Sequence, residues 1–328
     1  TALPAPICGV LVRAGVAADG AEAYLAPSLR ELLPDPRGLQ DMGRAAGRLI
    51  RAVDRGERIA VFGDYDVDGA CSSALLILWL RQMGRDATLY IPDRIDEGYG
   101  PNVPAMADLA ARHDVIVCVD CGTLSHDAIA AAEGADVIVL DHHMGAETLP
   151  PAMAVVNPNR MDEDRSLGHL CAAAVVFLLL VEAGRLLRER GTRGPDLLSF
   201  LDLVALATVA DVAPLIGVNR AFVRQGLTVM ARRQRPGLVA LSDVARLDTP
   251  PTAHTLGFVL GPRINAGGRI GAADLGARLL TTDDPAEAAA LAARLDALNE
   301  ERRAIETEVR DAALAQATAR GTDGALVW

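Results

Sequence analysis

The chain has 328 residues, a formal net charge of −11, 51% hydrophobic residues and only 3% aromatics. That length supports one large or two medium domains, with a core built mainly from Ala, Val and Leu. No window reaches the roughly 18 uninterrupted apolar residues of a membrane span; Leu170 to Val181 comes nearest. Ile7 to Val12, followed at once by Arg13, is too short for a signal peptide. A cytoplasmic chain without a membrane partner is expected.

The negative charge argues against a nucleic-acid partner only globally, since a basic groove can be local. All the basic residues apart from histidine are arginine, which a GC-rich coding bias explains without invoking phosphate binding. The five cysteines, Cys8, Cys71, Cys118, Cys121 and Cys171, are too scattered for a disulfide framework. Cys118 and Cys121 form a CxxC without a second pair and read as small core residues. The chain opens at Thr1 and stops in the apolar run Ala325-Leu326-Val327-Trp328, like the start of a strand. A piece of a longer protein is expected.

In chain order, residues 1–57 read as a helical and irregular segment with turns at Pro27-Ser28 and Pro34-Asp35-Pro36. From Arg58 short apolar runs alternate with Ala-rich helical stretches, the rhythm of βα units. The runs are Ile59 to Phe62, Thr88 to Ile91, Val115 to Val119, Val137 to Leu140 and Ala154 to Val156. They lack polar alternation, as strands covered on both faces do. The fold class is therefore α/β, a parallel sheet flanked by helices on both faces. Helices are predicted over 70–83, 103–112, 125–133, 168–190 and 195–210, and a loop rich in Pro, Gly and Arg over 248–274. Arg232-Arg233-Gln234-Arg235 reads as an exposed turn. Asp284 to Arg320 begins Asp-Pro-Ala-Glu, a helix start, and its charges make it a solvated connector. The domain boundaries are thus 1–57, a catalytic domain over 58–280, and 281–328 for the connector and the start of a further domain.

Chemistry gathers at strand ends. Gly63-Asp64-Tyr65-Asp66-Val67-Asp68-Gly69 follows the first strand, too short a ladder for an EF-hand. Asp120 ends the third strand and Asp141-His142-His143 the fourth. In an open parallel sheet these carboxyl ends line one crevice, so separate strands deliver acids and imidazoles to the same edge. Asp211 follows an apolar helix, and a carboxylate at a helix C-terminus calls for a compensating cation. Imidazole with several carboxylates favours Mn²⁺, Fe²⁺ or Zn²⁺ over calcium, and Mn²⁺ or Mg²⁺ over a sulfur-seeking ion.

The ordered motifs Asp-Tyr-Asp-Val-Asp-Gly, Val-Asp-Cys-Gly, Asp-His-His and Val-Ala-Asp-Val-Ala-Pro resemble those of the DHH phosphoesterase superfamily. Gly261-Pro262-Arg263-Ile264-Asn265-Ala266-Gly267-Gly268-Arg269 resembles the bacterial RecJ exonucleases, as do Ile91-Pro92-Asp93-Arg94 with Glu97-Gly98-Tyr99-Gly100, and the helix around Leu298 to Arg302. The resemblance runs from about Leu29 to the C-terminus. It implies two divalent ions, Mn²⁺ or Mg²⁺, held by Asp64, Asp66, Asp120, His142 and Asp211, with Asp120 shared. His143 would contact phosphate or protonate the leaving oxygen, and Asp68 and Asp141 would support the ligands from behind. Arg94, Arg263, Asn265 and Arg269 would bind the nucleic-acid backbone.

The implied activity is hydrolysis of single-stranded DNA, 5′ to 3′, in repair and recombination, by a monomer that a single-strand-binding protein accompanies. Two ions ~4 Å apart suit phosphodiester hydrolysis because they stabilise the attacking and leaving oxygens together. The acidic motifs fit equally a relative acting on short oligonucleotides, cyclic dinucleotides or pyrophosphate. A non-catalytic scaffold of the same fold is disfavoured because every expected acid and both histidines are present. Two features depart from the family. The glycine- and histidine-rich motif of a second domain is missing, and Phe62 stands where some members place a histidine. The arrangement requires Asp64, Asp120, His142 and Asp211 to lie within about 10 Å of one another.

Overall fold

A computed structural model describes residues 3–320. Three short helices, α1 (Ala5–Arg13), α2 (Ala21–Leu25) and α3 (Leu29–Leu32), precede α4 (Met42–Arg55). The βα region then runs β1 (Ile59–Phe62), α5 (Val67–Gln82), β2 (Ala87–Tyr90), α6 (Val103–Arg112), β3 (Val115–Val119), α7 (His126–Ala130), β4 (Asp136–Leu140) and β5 (Ala154–Val156). All the strands pair in parallel, in the order β2-β1-β3-β4-β5, with Ile59 opposite Ala87 on one side and Val115 on the other. This is the parallel sheet expected, within one residue at the ends of β2 and β4. Its order reverses between β1 and β3, and at such a switch point the two following loops part to leave a crevice.

The two-residue period of the strands sorts side chains into two cores. Ile59, Val61, Val115, Val117, Val119, Ile138 and Leu140 face the larger one, with α4, α5 and the later helices. Ala60, Phe62, Ile116, Cys118, Val137 and Val139 face a smaller one, under Met106 and Leu109 of α6 and Ile129 of α7. Cys118 and Cys121 both lie in that smaller core, as small core residues should. Phe62 packs there against Tyr90, ring centroids 5.2 Å apart.

Beyond the sheet come α8 (Ala172–Glu189), α9 (Leu201–Ala210), α10 (Gly217–Met230) and α11 (Pro236–Val244). The helix expected over 168–190 starts four residues later, because 168–171 is a loop that serves the site. The helix expected over 195–210 opens as a 3₁₀ turn, Leu197–Phe200, capped by Asp196. Of the predicted arginine turn, Arg233 pairs with Asp243, but Arg235 is turned inward and grips Asp202 at the start of α9 through two 2.9 Å bonds.

The loop predicted over 248–274 is largely helical. It comprises α12 (Ala253–Thr255), a π-helical turn at Leu256–Leu260, and α13 (Gly261–Ile270). Its glycines are contact points rather than breakers. A Cβ on Gly268 would stand 2.6 Å from the Tyr65 carbonyl oxygen, so only glycine lets α13 approach the acidic loop. Tertiary packing here overrides local propensity.

α14 (Leu275–Thr281) and α15 (Pro285–Arg320) complete the described chain. α15 buries Leu291, Leu295 and Leu298 against the larger core, whereas Ile305, Val309 and Leu314 farther along are exposed. α4, in the segment read as preceding the catalytic domain, contributes Leu49, Ile50 and Val53 to the same core; full burial of each such side chain is worth ~1.5–3 kcal/mol. The strand start expected at 325–328 lies outside the described residues.

Candidate metal centre

Four elements of the fold deliver the acids and imidazoles to one place. After β1 the chain turns through Asp64 into α5, whose N-cap is Asp66; its Oδ1 accepts from the Gly69 amide at 3.0 Å. That cap explains why α5 begins three residues earlier than the apolar run suggests. Asp68 lies in the first turn and is only 1% exposed. Its carboxylate accepts the amides of Ala172 (2.6 Å) and Ala173 (2.8 Å) at the start of α8. Asp68 is thus held between two helix N-termini, where negative charge is favoured.

Asp120 follows β3 in the left-handed conformation, φ 61°, which costs a non-glycine residue of order 1–3 kcal/mol. Its amide donates to the Leu140 carbonyl, and its own carbonyl accepts the Tyr99 hydroxyl at 3.0 Å. The turn brings a buried carboxylate to the switch point, with Oδ1 3.3 Å from His142 Nε2. After β4, Asp141 accepts the amides of His142 (2.8 Å) and His143 (3.2 Å), the His143 Nδ1–H (2.8 Å) and the Thr123 amide (3.0 Å). It is fully engaged as an orienting group. His142 also lies 3.7 Å from Asp68 and, through Nδ1, 3.9 Å from Asp211.

Asp211 closes the ring from the C-terminal end of α9. That helix is stopped by a Schellman arrangement: Ala213 donates to the Thr208 carbonyl and Val212 to the Val209 carbonyl. Val212 takes the left-handed position, φ 58°, where glycine is usual.

The electrostatics of this cluster are one-sided. Burial and the charge of Asp66 push Asp64 up to about 7, and burial with the same neighbour raises Asp211 to about 6. Asp68 and Asp120 are driven well above the ordinary carboxylate range by burial and by the surrounding acids. The imidazoles diverge. His142 is lowered by burial and by its neighbour His143, which favours the neutral form that ligates metals. His143 is raised by its hydrogen bond to Asp141, which favours the proton-carrying form. Burial alone would raise Asp141, but the bonds from His143 and Thr123 hold it below the usual range.

Three sets of donor atoms lie within 4.8 Å of one another: Asp64, Asp66 and Asp120; Asp120, His142 and His143; and Asp68, His142 and Asp211. Asp120 and His142 each belong to two sets, so the three groups form one connected cluster. Asp64 Oδ1 and Asp120 Oδ1 are buried and accept no hydrogen bond. Among the described residues no arginine stands within ion-pair distance of Asp64, Asp66, Asp68, Asp120 or Asp211. Orphaned carboxylate oxygens among like charges are costly unless a cation is supplied. The donor set fits divalent ions.

The residues expected to grip substrate divide. Arg94 lies over the Tyr65 ring at 5.4 Å, and Arg269 ends α13 beside the acidic loop; the charges of both bear on Tyr65. The other two are engaged elsewhere. Arg263 donates to Asp296 of α15 at 2.8 Å and to the Val259 carbonyl at 2.7 Å. Asn265 accepts the Val67 amide at 3.0 Å and so props the acidic loop. Sequence reasoning missed Tyr99, whose hydroxyl reaches both Asp120 and the His143 ring (3.3 Å). It also missed Asn157, which donates to the His143 carbonyl, and Asn159, which donates to that of His142. The signal was available: Asn157 follows β5, another strand end at the same edge.

Known proteins resemble this chain closely enough to assign it to a family. Residues 58–208 match the family described as "DHH family, N-terminal domain". A solved structure of exonuclease RecJ bound to manganese is 38% identical, with TM-score 0.77, over 85% of this chain and 70% of that one. The chain belongs to the RecJ family. The RecJ of Thermus thermophilus, solved with Mn²⁺, superposes with TM-score 0.76 at 34% identity, over 97% of this chain and 47% of that one. The single-stranded-DNA-specific exonuclease RecJ of Dickeya dadantii is 42% identical over 299 residues, 88% of this chain. The chain spans about half the length of the curated RecJ relatives it matches, 52% in that case. No helix among the described residues is long and apolar enough to cross a membrane.

Proposed function

We propose that this chain is the catalytic core of an exonuclease that hydrolyses single-stranded DNA with two divalent ions, Mn²⁺ or Mg²⁺. The observation that carries the reading is the contiguous donor set, in which Asp120 links Asp64 and Asp66 to His142 and its neighbours. The relatives are named as exonucleases specific for single-stranded DNA, and two of their structures as manganese-bound.

Asp64, Asp66 and Asp120 would hold one ion, and Asp120, His142 and Asp211 the other. Asp68 braces the loop from the N-terminus of α8. When bound, the ions supply the positive charge that stabilises attacking and leaving oxygens in line and lowers the pKa of water. The remaining roles fall to side chains. His143 keeps Nε2 free of Asp141 and is biased toward its protonated form, so it can hydrogen-bond a phosphate oxygen or give a proton to the departing sugar oxygen. Arg94 and Arg269, both close enough for their charge to bear on Tyr65, suit phosphate contacts. The propping roles of Asn265 and Arg263 make them supports of this arrangement rather than substrate contacts.

Digestion from the 5′ end, cytoplasmic location, a monomeric state and a single-strand-binding partner follow from the family resemblance. The test compares 5′-labelled and 3′-labelled single strands, duplexes, dinucleotides, cyclic dinucleotides and pyrophosphate, each with Mn²⁺. Stepwise loss of 5′-terminal nucleotides from long single strands is the expected result. Preference for dinucleotides or pyrophosphate would replace the DNA reading with a small-substrate one.

A further inference from the structure

His142 and Asp211 arrive from different elements, the end of β4 and the end of α9, and no hydrogen bond joins them directly; their nearest ring nitrogen and carboxylate oxygen are 3.9 Å apart. A relay of two asparagines spans the gap. Asn159 donates through Nδ2 to the His142 carbonyl (2.6 Å) and to the Gly168 carbonyl (3.2 Å). One residue on, the His169 carbonyl accepts from Asn219 Nδ2 at 2.7 Å, and the same nitrogen donates to the Pro214 carbonyl at 3.0 Å, three residues beyond Asp211. The short segment between the asparagines leads directly into Ala172 and Ala173, whose amides hold Asp68.

Asn219 is 0% exposed, and its Oδ1 accepts nothing. A buried amide oxygen without a partner is a net cost, so this side chain contributes through its two donated bonds alone. Its orientation follows from chemistry, since the opposite flip would aim oxygen at two carbonyls. Asn219 makes no hydrogen bond to any acid or imidazole of the cluster.

We propose that Asn219 is a positioning residue that sets the separation of Asp211 from His142 and Asp68, and thereby the affinity of that half of the metal centre. The proposal rests on the reading of the cluster as a metal centre. It makes a selective claim, because Asp64, Asp66 and Asp120 are positioned by β1, β3 and α5 without the relay. Loss of groups that orient ligands weakens metal binding about 10–100-fold.

The test is calorimetric titration of Mn²⁺ into the metal-free chain and into Asn219→Ala and Asn219→Asp, with circular dichroism to verify folding. Two binding events are expected in the parent. In both variants one event is retained and the other weakened at least tenfold, and hydrolysis recovers when Mn²⁺ is raised in proportion. Asn219→Asp keeps the shape and removes the donated bonds, so it separates positioning from packing. Unchanged binding of both ions, or equal weakening of both, overturns the proposal and leaves the metal centre standing. A parent that takes up no Mn²⁺ overturns the metal-centre reading and the proposal with it. If neither variant folds, Asn219→Ser, which keeps one donor, and Asn159→Ala, which cuts the other link, are judged by the same criterion.

Discussion

Replacing Asp64 by asparagine should make the metal-free protein more stable while weakening its response to metal. Burial and Asp66 raise Asp64 from 3.8 to about 7. A carboxyl raised in the fold contributes stability that is fully present below its unfolded value and lost as pH rises through the folded one. At ~1.4 kcal/mol per pH unit, the metal-free fold gives up about 4 kcal/mol at this residue by pH 8. Asparagine has a similar shape without the charge. An amide is a weaker acceptor than a carboxylate for nearby donors, an offset of about 1 kcal/mol, leaving a net gain of about 2–3 kcal/mol. For a chain of this size that is a rise in Tm of roughly 3–4 °C. Thermal unfolding in chelator at pH 8 reads it, and repeating the melt at pH 5.5 should shrink the difference. Adding Mn²⁺ at 100 times its Kd should stabilise the parent by about 2.7 kcal/mol and the variant by clearly less. An Asp64→Asn protein no more stable than its parent at pH 8, with an undiminished response to Mn²⁺, would show that the acids are not held together at an electrostatic cost that metal relieves.

Other outcomes follow from the same geometry. Asp120→Ala should abolish hydrolysis of labelled single strands while circular dichroism stays native, since Asp120 belongs to two donor sets; near-parent rates would exclude a bridging role. Asp141→Asn removes the partner that raises His143, so activity that needs protonated His143 should fall away at lower pH than in the parent, read from the alkaline limb of the rate profile. Arg269→Ala should weaken oligonucleotide binding and reduce the dependence of log K on log salt by about one, measured by fluorescence anisotropy with metal withheld. Arg263→Gln should leave that salt slope unchanged and instead lower Tm, because Arg263 ties α13 to α15 through Asp296.

Much of the sheet was legible because strands buried on both faces announce themselves as apolar runs, and the strand-end rule then fixed where Asp64, Asp120, Asp141 and His142 must meet. The region around Gly261 to Arg269 was not legible, because glycine and arginine in close order look like a loop until the surfaces they press against are known. Gly268 is there for the close approach of Tyr65, and Arg263 for a partner 33 residues away on another helix. The roles of Asn265, Asn159 and Asn219 were hidden for a related reason: an amide's partners are backbone groups, and no pattern of residue types reveals which carbonyl or amide a fold will bring within hydrogen-bonding reach. The bias of His143 away from His142 likewise depends on which ring meets Asp141, a question of rotamers.

The donors that would hold the ions come from β1, β3, β4 and α9, and Asp211, the last of them, lies beyond the final strand. A ribosome that has made only the sheet, or a chain that has lost α9 through local unfolding, carries an incomplete set. On the proposed reading, the complete donor set exists only when α9 is in place beside the sheet. A copy stopped before that helix would carry the strand-borne acids and imidazoles without the carboxylate that completes them.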